Sequence, residues 1–253
     1  MTAGVALITG AAGGLGSAIA HEMARRGWSL VLTGLPGDPC GALAEELRVR
    51  YSVETLVLPA DLADPGQIPP LIDAAAAWRG GIRCLVNNAG RPTRSSLADI
   101  GTEEWDAALA VNLRAPMLLI QSFARNYSDD NSGGSVVNIA SRTYATGGPV
   151  AYVASKAGLV GITRAAAFEL GPRGIRVNAV APSLVETAFV AGSRTPEQMN
   201  AARDRQSALS ALKRPPHASE VATAVAFLAG PEASFITGDV LHVAGGLQLP
   251  PMP

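Results

Sequence analysis

Charged residues are scarce in this chain, and neither sign dominates. Of 253 residues, 16% are charged and 48% are hydrophobic, a balance that excludes disorder as the main state. The 20 basic and 21 acidic residues give a net charge of −1. The basic field that usually accompanies nucleic-acid binding is therefore missing, and we expect no nucleic-acid partner.

Potential metal ligands are also few. The two cysteines, Cys40 and Cys84, stand far apart in the sequence. This excludes a disulfide framework or a cysteine-rich metal site and fits a reducing compartment. The three histidines, His21, His217 and His242, show no ligand spacing, so we expect no metal site.

Signals for export and for membrane insertion are lacking as well. Residues 1–20 contain no Lys or Arg, whereas a secretory signal begins with a positively charged region. No window approaches the roughly 18–20 uninterrupted apolar residues of a membrane span. We therefore expect a soluble, cytoplasmic protein with no membrane partner.

Short apolar runs alternate with longer amphipathic stretches. The runs that predict strands are Val5–Ile8, Leu30–Leu32, Thr55–Leu58, Cys84–Val86, Val136–Ile139, Val177–Val180 and Val240–Val243. Their lack of polar alternation is typical of a parallel sheet buried on both faces. Helices are predicted near 14–26, 41–51, 65–79, 102–127, 150–171, 196–209 and 218–229. This order predicts an α/β fold, a doubly wound, seven-stranded parallel sheet in a single domain over residues 1–253.

Local signals mark where some of these helices begin or break. Asp64-Pro65 with Gln67 and Thr195-Pro196 with Gln198 both predict capping boxes. Pro116 predicts a kink or break within the stretch 102–127.

A glycine-rich segment joins the first predicted strand to the first predicted helix. From Thr9 to Gly16 it reads T-G-A-A-G-G-L-G. Gly10 permits a sharp turn, Gly14 lets the backbone approach a phosphate, and Gly16 lets the helix pack on the sheet. The helix N-terminus would bind a pyrophosphate. The alternative is an ordinary strand-to-helix turn.

The end of the second strand leaves the nucleotide open. The acid that usually holds the ribose hydroxyls falls near Gly34, where neither an acid nor a Lys or Arg is present. Asp38 is the nearest acid, four residues on. Because no partner for a 2′-phosphate is evident, we favour NAD over NADP.

Tyr152 and Lys156 lie four residues apart on a predicted helix and so share one face. An ammonium beside a phenol favours the phenolate and lowers a pKa that is ordinarily about 10. Such a phenol can give a proton to a carbonyl oxygen or take one from an alcohol. A single pair with this spacing is common by chance, so its meaning depends on the motifs around it.

Four further motifs accompany the pair. Asn87–Gly90 follows the fourth strand, Asn112 lies in a Val-Asn-Leu segment, Ser141 ends the fifth strand, and Pro182 follows the sixth with Thr187 behind it. In this order they resemble the short-chain dehydrogenase/reductase family, in its tetrad-bearing, 3-oxoacyl-carrier-protein-reductase-like branch. The resemblance extends from about residue 5 to residue 246.

The resemblance implies four catalytic residues. Tyr152 would be the acid/base, Lys156 would lower its pKa and bind the nicotinamide ribose, Ser141 would polarise the substrate carbonyl, and Asn112 would hold a water in a proton relay. Contacts with NAD or NADP are implied for Gly10, Gly13, Gly14, Leu15, Gly16, Asp61, Leu62, Asn88, Ala89, Gly90, Tyr152, Lys156, Pro182 and Thr187. Two alternatives stay open: Asn112 as a hydrogen-bonding residue near the helix kink, and Asp61 as a plain turn acid.

The implied reaction is hydride transfer between the nicotinamide and a small secondary alcohol or ketone. The alternatives are a non-catalytic, NAD(P)-binding regulatory protein and a non-redox lyase on the same fold. The resemblance also implies a homotetramer joined through the helices near 102–127 and 150–171, and a substrate loop or lid over 183–212.

One departure from the family is the spacing of Ser141 and Tyr152, which predicts a shortened loop. Tyr144 in that loop has no lysine four residues on, because position 148 is glycine.

Overall fold

The computed structural model describes residues 4–127, 133–187 and 195–249. Seven parallel strands form one sheet in the order β3-β2-β1-β4-β5-β6-β7. Their bounds are β1 Val5–Thr9, β2 Ser29–Thr33, β3 Thr55–Val57, β4 Ile82–Asn87, β5 Gly134–Ile139, β6 Ile175–Pro182 and β7 Val240–Val243. Every predicted strand is present, and the predicted parallel sheet is confirmed.

Helices cover both faces of this sheet. They are α1 Gly14–Arg25, α2 Cys40–Tyr51, α3 Ile68–Ala76, α4 Thr102–Leu109, α5 Ala115–Asn126, α6 Thr143–Thr146, α7 Val150–Leu170, α8 Pro196–Leu209 and α9 Ala218–Ala229. The short helix α6 was not predicted. It lies in the shortened loop after β5 and ends at Gly147, whose φ of +92° favours glycine.

The two faces of the sheet bury separate cores. In β1, Ala6 and Ile8 pack with α1, α2 and α9, whereas Val5 and Leu7 pack with α3, α5 and α7. Successive side chains of a strand point to opposite faces. Since both faces are covered, both sets must be apolar, which is why the strands read as uninterrupted hydrophobic runs.

The chain order reverses beside β1, which pairs with β2 on one side and β4 on the other. In a doubly wound sheet, this reversal opens a crevice at the carboxyl ends of the strands. The glycine-rich segment after β1 and the motif after β4 therefore meet at the same crevice.

The predicted helix over 102–127 is interrupted. A π-helical turn, Ala110–Arg114, separates α4 from α5, and Pro116 lies in the first turn of α5. Proline has no N–H that could donate to the helical hydrogen bonds. The π-helical turn just before it accommodates this interruption locally. By length and composition alone the run Thr102–Asn126 could cross a membrane, but half of its most apolar window is buried inside the fold, as in a core helix.

One of the two predicted capping boxes is wrong. The box at Thr195 and Gln198 is present. Asp64 does cap its helix, accepting from the N–H of Gly66 at 2.9 Å. The Gln67 side chain, however, accepts from the N–H of Asp61 at 2.9 Å. It cannot complete the box because the N–H of Asp64 already donates to the Asp61 carbonyl.

Candidate active site

A cavity of about 1170 Å³ lies along the carboxyl ends of the strands. Thirteen of the predicted site residues line it: Gly10, Gly13, Gly14, Leu15, Gly16, Asn88, Ala89, Gly90, Ser141, Tyr152, Lys156, Pro182 and Thr187. Residues from distant parts of the sequence thus border one space, as the topology of the sheet requires.

The glycine-rich turn is tightly constrained. Gly10 has a φ of +61°, and a Cβ there would lie 3.0 Å from the Cα of Ala89. A Cβ on Gly16 would overlap the carbonyl oxygen of Gly10, and one on Gly14 would lie 2.9 Å from the Thr187 side chain. The turn and the N-terminus of α1 therefore form a cradle that only glycine allows, facing the cavity with backbone N–H groups.

Asn88 fixes this turn from the neighbouring strand. Its Nδ2 donates to the carbonyl oxygens of Thr9 and Gly10, at 2.9 and 3.1 Å. In return, the Thr9 hydroxyl accepts from the N–H groups of Asn88 and Ala89, both at 2.9 Å. Asn88 therefore braces the cradle as well as lining the cavity.

Lys156 lies deep in the cavity wall, on the same face of α7 as Tyr152. Its Nζ lies 5.6 Å from the centre of the Tyr152 ring and donates to the Ile139 carbonyl at the end of β5, at 2.7 Å. Burial lowers the pKa of Lys156 to about 8, because an ammonium is less stable away from water. This lysine can therefore exchange a proton near neutral pH.

Ser141 lies between the end of β5 and Tyr152. Its Oγ accepts from the Thr143 hydroxyl at 2.9 Å and from the Thr143 N–H at 3.3 Å. Burial raises the pKa of the Tyr152 phenol, and a hydrogen bond with the Ser141 side chain partly opposes that rise. The Lys156 ammonium is bonded to the Ile139 carbonyl, and its lowering of the Tyr152 pKa stays a prediction.

Asn112 lies behind the cavity wall, and its side chain is 1% exposed. Its Oδ1 accepts from the Arg91 N–H at 2.7 Å, and its Nδ2 donates to the Arg91 carbonyl at 2.9 Å and to the Ser155 hydroxyl at 3.2 Å. It thus ties the π-helical turn to the segment after β4 and to α7. This geometry matches the alternative of a hydrogen-bonding residue at the helix kink.

Comparisons with known proteins agree with this architecture. The family described as enoyl-(acyl carrier protein) reductase matches residues 10–248. The 3-oxoacyl-[acyl-carrier-protein] reductase FabG of Staphylococcus epidermidis is 34% identical over 96% of this chain and 98% of its own. This chain belongs to the short-chain dehydrogenase/reductase family.

Solved structures of the family are closely similar. A short-chain dehydrogenase/reductase from Serratia marcescens has a TM-score of 0.88 at 33% identity and 98% coverage of both chains. A blue fluorescent protein from a metagenomic library, in complex with NADPH, has a TM-score of 0.86 at 31% identity, covering 97% of this chain and 98% of its own. The protein is thus an NAD(P)-dependent oxidoreductase acting on CH–OH or keto groups. Nothing in these matches supports the regulatory-protein or lyase alternatives.

Two residues that the resemblance placed at the cofactor, Asp61 and Leu62, lie outside the residues that line the cavity. The Oδ1 of Asp61 accepts from the Ala63 N–H at 2.9 Å, which is the contact of a turn acid.

In this short-chain dehydrogenase, the structure shows cavity-lining residues that the sequence motifs did not single out. Asp38 lines the cavity beside Gly34, and its Oδ2 accepts from the Leu35 N–H at 2.8 Å. Thr93 is 7% exposed, and its hydroxyl has no partner among the described residues. Of these two residues, only Asp38 had a sequence signal, which was its nearness to the expected ribose-binding position.

Within the described ranges, no cluster of three His, Cys, Asp or Glu residues could hold a metal.

Proposed function

We propose that this enzyme interconverts a secondary alcohol and a ketone, with Tyr152 as the acid/base. The observation that carries this proposal is that Tyr152, Ser141 and Lys156 border the same cavity as the glycine cradle. A nicotinamide nucleotide bound along that cavity would supply or accept the hydride. The glycine cradle fits its pyrophosphate, because Gly14 and Gly16 leave room that a Cβ would fill.

In the reducing direction, the Tyr152 phenol donates its proton to the substrate's carbonyl oxygen. The Ser141 hydroxyl, held by Thr143, donates a hydrogen bond to the same oxygen and orients it. Lys156, with a pKa lowered to about 8, stabilises the phenolate and returns a proton to it. Asn112 positions these groups through Ser155 and the Arg91 backbone, and a relay water held by Asn112 stays a prediction.

We also propose that NAD is preferred over NADP. Asp38 lines the cavity just after β2, where a carboxylate accepts hydrogen bonds from ribose hydroxyls and repels a 2′-phosphate. The arginines that line the cavity are Arg94, Arg142 and Arg205, and none of them belongs to the segment after β2.

The nucleotide proposal is tested by thermal shift of the purified protein with NAD, NADH, NADP and NADPH in separate wells. A ligand at 100 times its dissociation constant stabilises by about 2.7 kcal/mol. We expect a larger shift with the unphosphorylated pair. A larger shift with NADP and NADPH would refute the preference, and no shift with any nucleotide would refute the proposed site.

We further propose a single domain, in which residues 183–212 form the substrate loop. Residues 188–194 of this segment lie outside the described residues. Support comes from Gln206, whose side chain is 5% exposed, accepts from the Leu184 N–H at 2.9 Å and donates to the Ser183 hydroxyl at 3.0 Å. Unchanged protease sensitivity of this segment with saturating nucleotide would count against a lid.

The proposed assembly is a homotetramer in the cytoplasm, joined through the helical run 102–126 and α7. Phe168 on α7 is 89% exposed, and a large exposed apolar side chain favours a contact between subunits. Both cysteines are free and buried, which fits a reducing compartment. A monomeric mass in solution would refute the tetramer.

A further inference from the structure

Two arginines from distant parts of the chain line the same cavity as the proposed catalytic groups. Arg142 directly follows Ser141, and its N–H donates to the Pro182 carbonyl at 3.0 Å, which fixes its backbone at the end of β5. Arg205 lies on α8, one residue before the buried Gln206. Both side chains line the cavity, so α8 and the end of β5 bring two positive charges to one wall.

Neither charge is neutralised within the described residues. Arg142 donates to the Thr146 hydroxyl at 3.1 Å, an uncharged partner, and the Arg205 side chain forms no ion pair or hydrogen bond with the described residues. Arg203, on the same helix, behaves differently, because it forms an ion pair with Glu186. Arg203 is thus paired with an acid, whereas Arg142 and Arg205 line the cavity without an acidic partner among the described residues.

The positive charge of Arg205 acts on the Arg142 guanidinium. The pKa of Arg142 is lowered, first by partial burial and second by the nearby positive charge of Arg205. A second positive charge near a partly buried guanidinium is unfavourable, and a bound anion removes this cost through charge-assisted hydrogen bonds.

The cofactor's own phosphates do not account for this pair. The pyrophosphate cradle is at the N-terminus of α1, whereas Arg142 follows β5 beside the serine proposed to orient the substrate. An anion at the arginines would therefore belong to the substrate.

We propose that Arg142 and Arg205 form a subsite for an anionic group of the substrate, a carboxylate or a phosphate, while the reacting carbonyl lies at Ser141 and Tyr152. This inference rests on the proposed function, since it places the alcohol or ketone at Tyr152. The substrate class is then a hydroxy or oxo compound that carries a carboxylate or a phosphate.

The test compares ketones that carry an anionic group with neutral analogues that lack it, followed at 340 nm with NADH. One pair is 4-oxopentanoate and 2-pentanone, and the other is 3-oxobutyl phosphate and 4-hydroxy-2-butanone. For at least one pair we expect the anion to have a kcat/KM at least about tenfold higher. The pair that shows the preference distinguishes a carboxylate from a phosphate substrate.

The variants Arg142→Gln and Arg205→Gln assign the effect to the subsite. Each should reduce the anion-to-neutral ratio of kcat/KM about tenfold or more, chiefly by raising KM for the anion. Arg50→Gln makes the same change of charge on the exposed face of α2, outside the cavity lining. This control should leave the ratio unchanged.

Turnover of both members of each pair with equal kcat/KM would overturn the subsite while leaving the proposed function intact. If no ketone is turned over, the proposed function is in question, and binding decides the subsite separately. In that case, thermal shift by 4-oxopentanoate or 3-oxobutyl phosphate in the presence of NADH should be present in the wild type and lost in both variants. A shift that is absent in the wild type, or unchanged in the variants, would overturn the subsite.

Discussion

The Nζ of Lys156 donates to the carbonyl oxygen of Ile139 at 2.7 Å, so a buried lysine joins α7 to the end of β5. The side chain is 4% exposed, and the bond holds its ammonium beside the Tyr152 ring. Because the partner is a neutral carbonyl, burial remains the dominant influence and lowers the lysine pKa to about 8.

This pKa predicts how stability depends on pH. Above pH 8 the native lysine has largely lost its proton, whereas the unfolded lysine keeps it up to its ordinary pKa of about 10.4. The unfolded state then binds more protons, so the Lys156 contribution to the free energy of unfolding should rise by about 1 kcal/mol between pH 8 and pH 9. Urea unfolding of the wild type and of a variant without Lys156, at both pH values, measures this contribution as a difference.

Lys156→Met is the control for that measurement, because its unfolding free energy should lack the Lys156 contribution. Burial also raises the pKa of Cys84 to about 11, from an ordinary thiol value of about 8.5, so Cys84 acts in the same pH window in both proteins and cancels in their difference. That thiol keeps its proton in the native state and contributes a dependence of opposite sign. Parallel pH profiles of the wild type and the variant between pH 8 and pH 9 would contradict the assignment to Lys156.

Asp38 should determine nucleotide choice. Asp38→Asn removes the charge that repels a 2′-phosphate but keeps an acceptor for the Leu35 N–H. We expect affinity for NADPH to increase about tenfold relative to NADH, equivalent to about 1.4 kcal/mol, as measured by isothermal titration. Asp99→Asn, outside the cavity lining, is the matched control, and an equal change in both variants would rule out this role for Asp38.

The glycine cradle should tolerate no side chain at Gly16. Gly16→Ala places a Cβ against the Gly10 carbonyl and 2.8 Å from the Asn88 Nδ2, so we expect destabilisation of about 1–3 kcal/mol and weaker nucleotide binding. Gly41→Ala in α2 meets nothing within 4 Å and should be neutral or stabilising. Similar urea midpoints for the two variants would show that the cradle is looser than described.

Asn112 should contribute to stability through its buried hydrogen bonds. Asn112→Ala leaves the Arg91 backbone groups without their partner, which should cost about 1–3 kcal/mol of unfolding free energy. Asn126→Ala loses a hydrogen bond to Asp73 at an exposed position and should cost less. If the Asn112 variant has the same urea midpoint as the wild type, the proposed contribution of these hydrogen bonds to stability is wrong.

The strands and the site motifs were predictable from the sequence because each carries a local signal. Uninterrupted apolar runs marked the strands, and glycines marked the turn at Gly10–Gly16. The parallel topology then placed these motifs at one edge of the sheet. Ser141 and Tyr152 are therefore brought together by β5 and α7, which were both predicted.

Features that depend on competition between distant groups were not predictable. The Gln67 side chain bonds to Asp61 because the Asp64 N–H is already engaged. The Lys156 ammonium bonds to the Ile139 carbonyl, a partner 17 residues away, which no Tyr-Lys spacing reveals. Arg142 and Arg205 line one cavity only in the folded chain, because one follows β5 and the other lies on α8.

The most direct test of the central claim compares Tyr152→Phe with Tyr144→Phe. Tyr144 lies on α6, just before α7, and contacts His242 at 3.3 Å, but it does not line the cavity. NADH oxidation by a panel of methyl ketones is followed at 340 nm, and nucleotide binding is followed by thermal shift. We predict that Tyr152→Phe reduces kcat by about 10²–10⁴ with nucleotide binding retained, while Tyr144→Phe keeps most of the activity. Full activity in Tyr152→Phe would contradict the account.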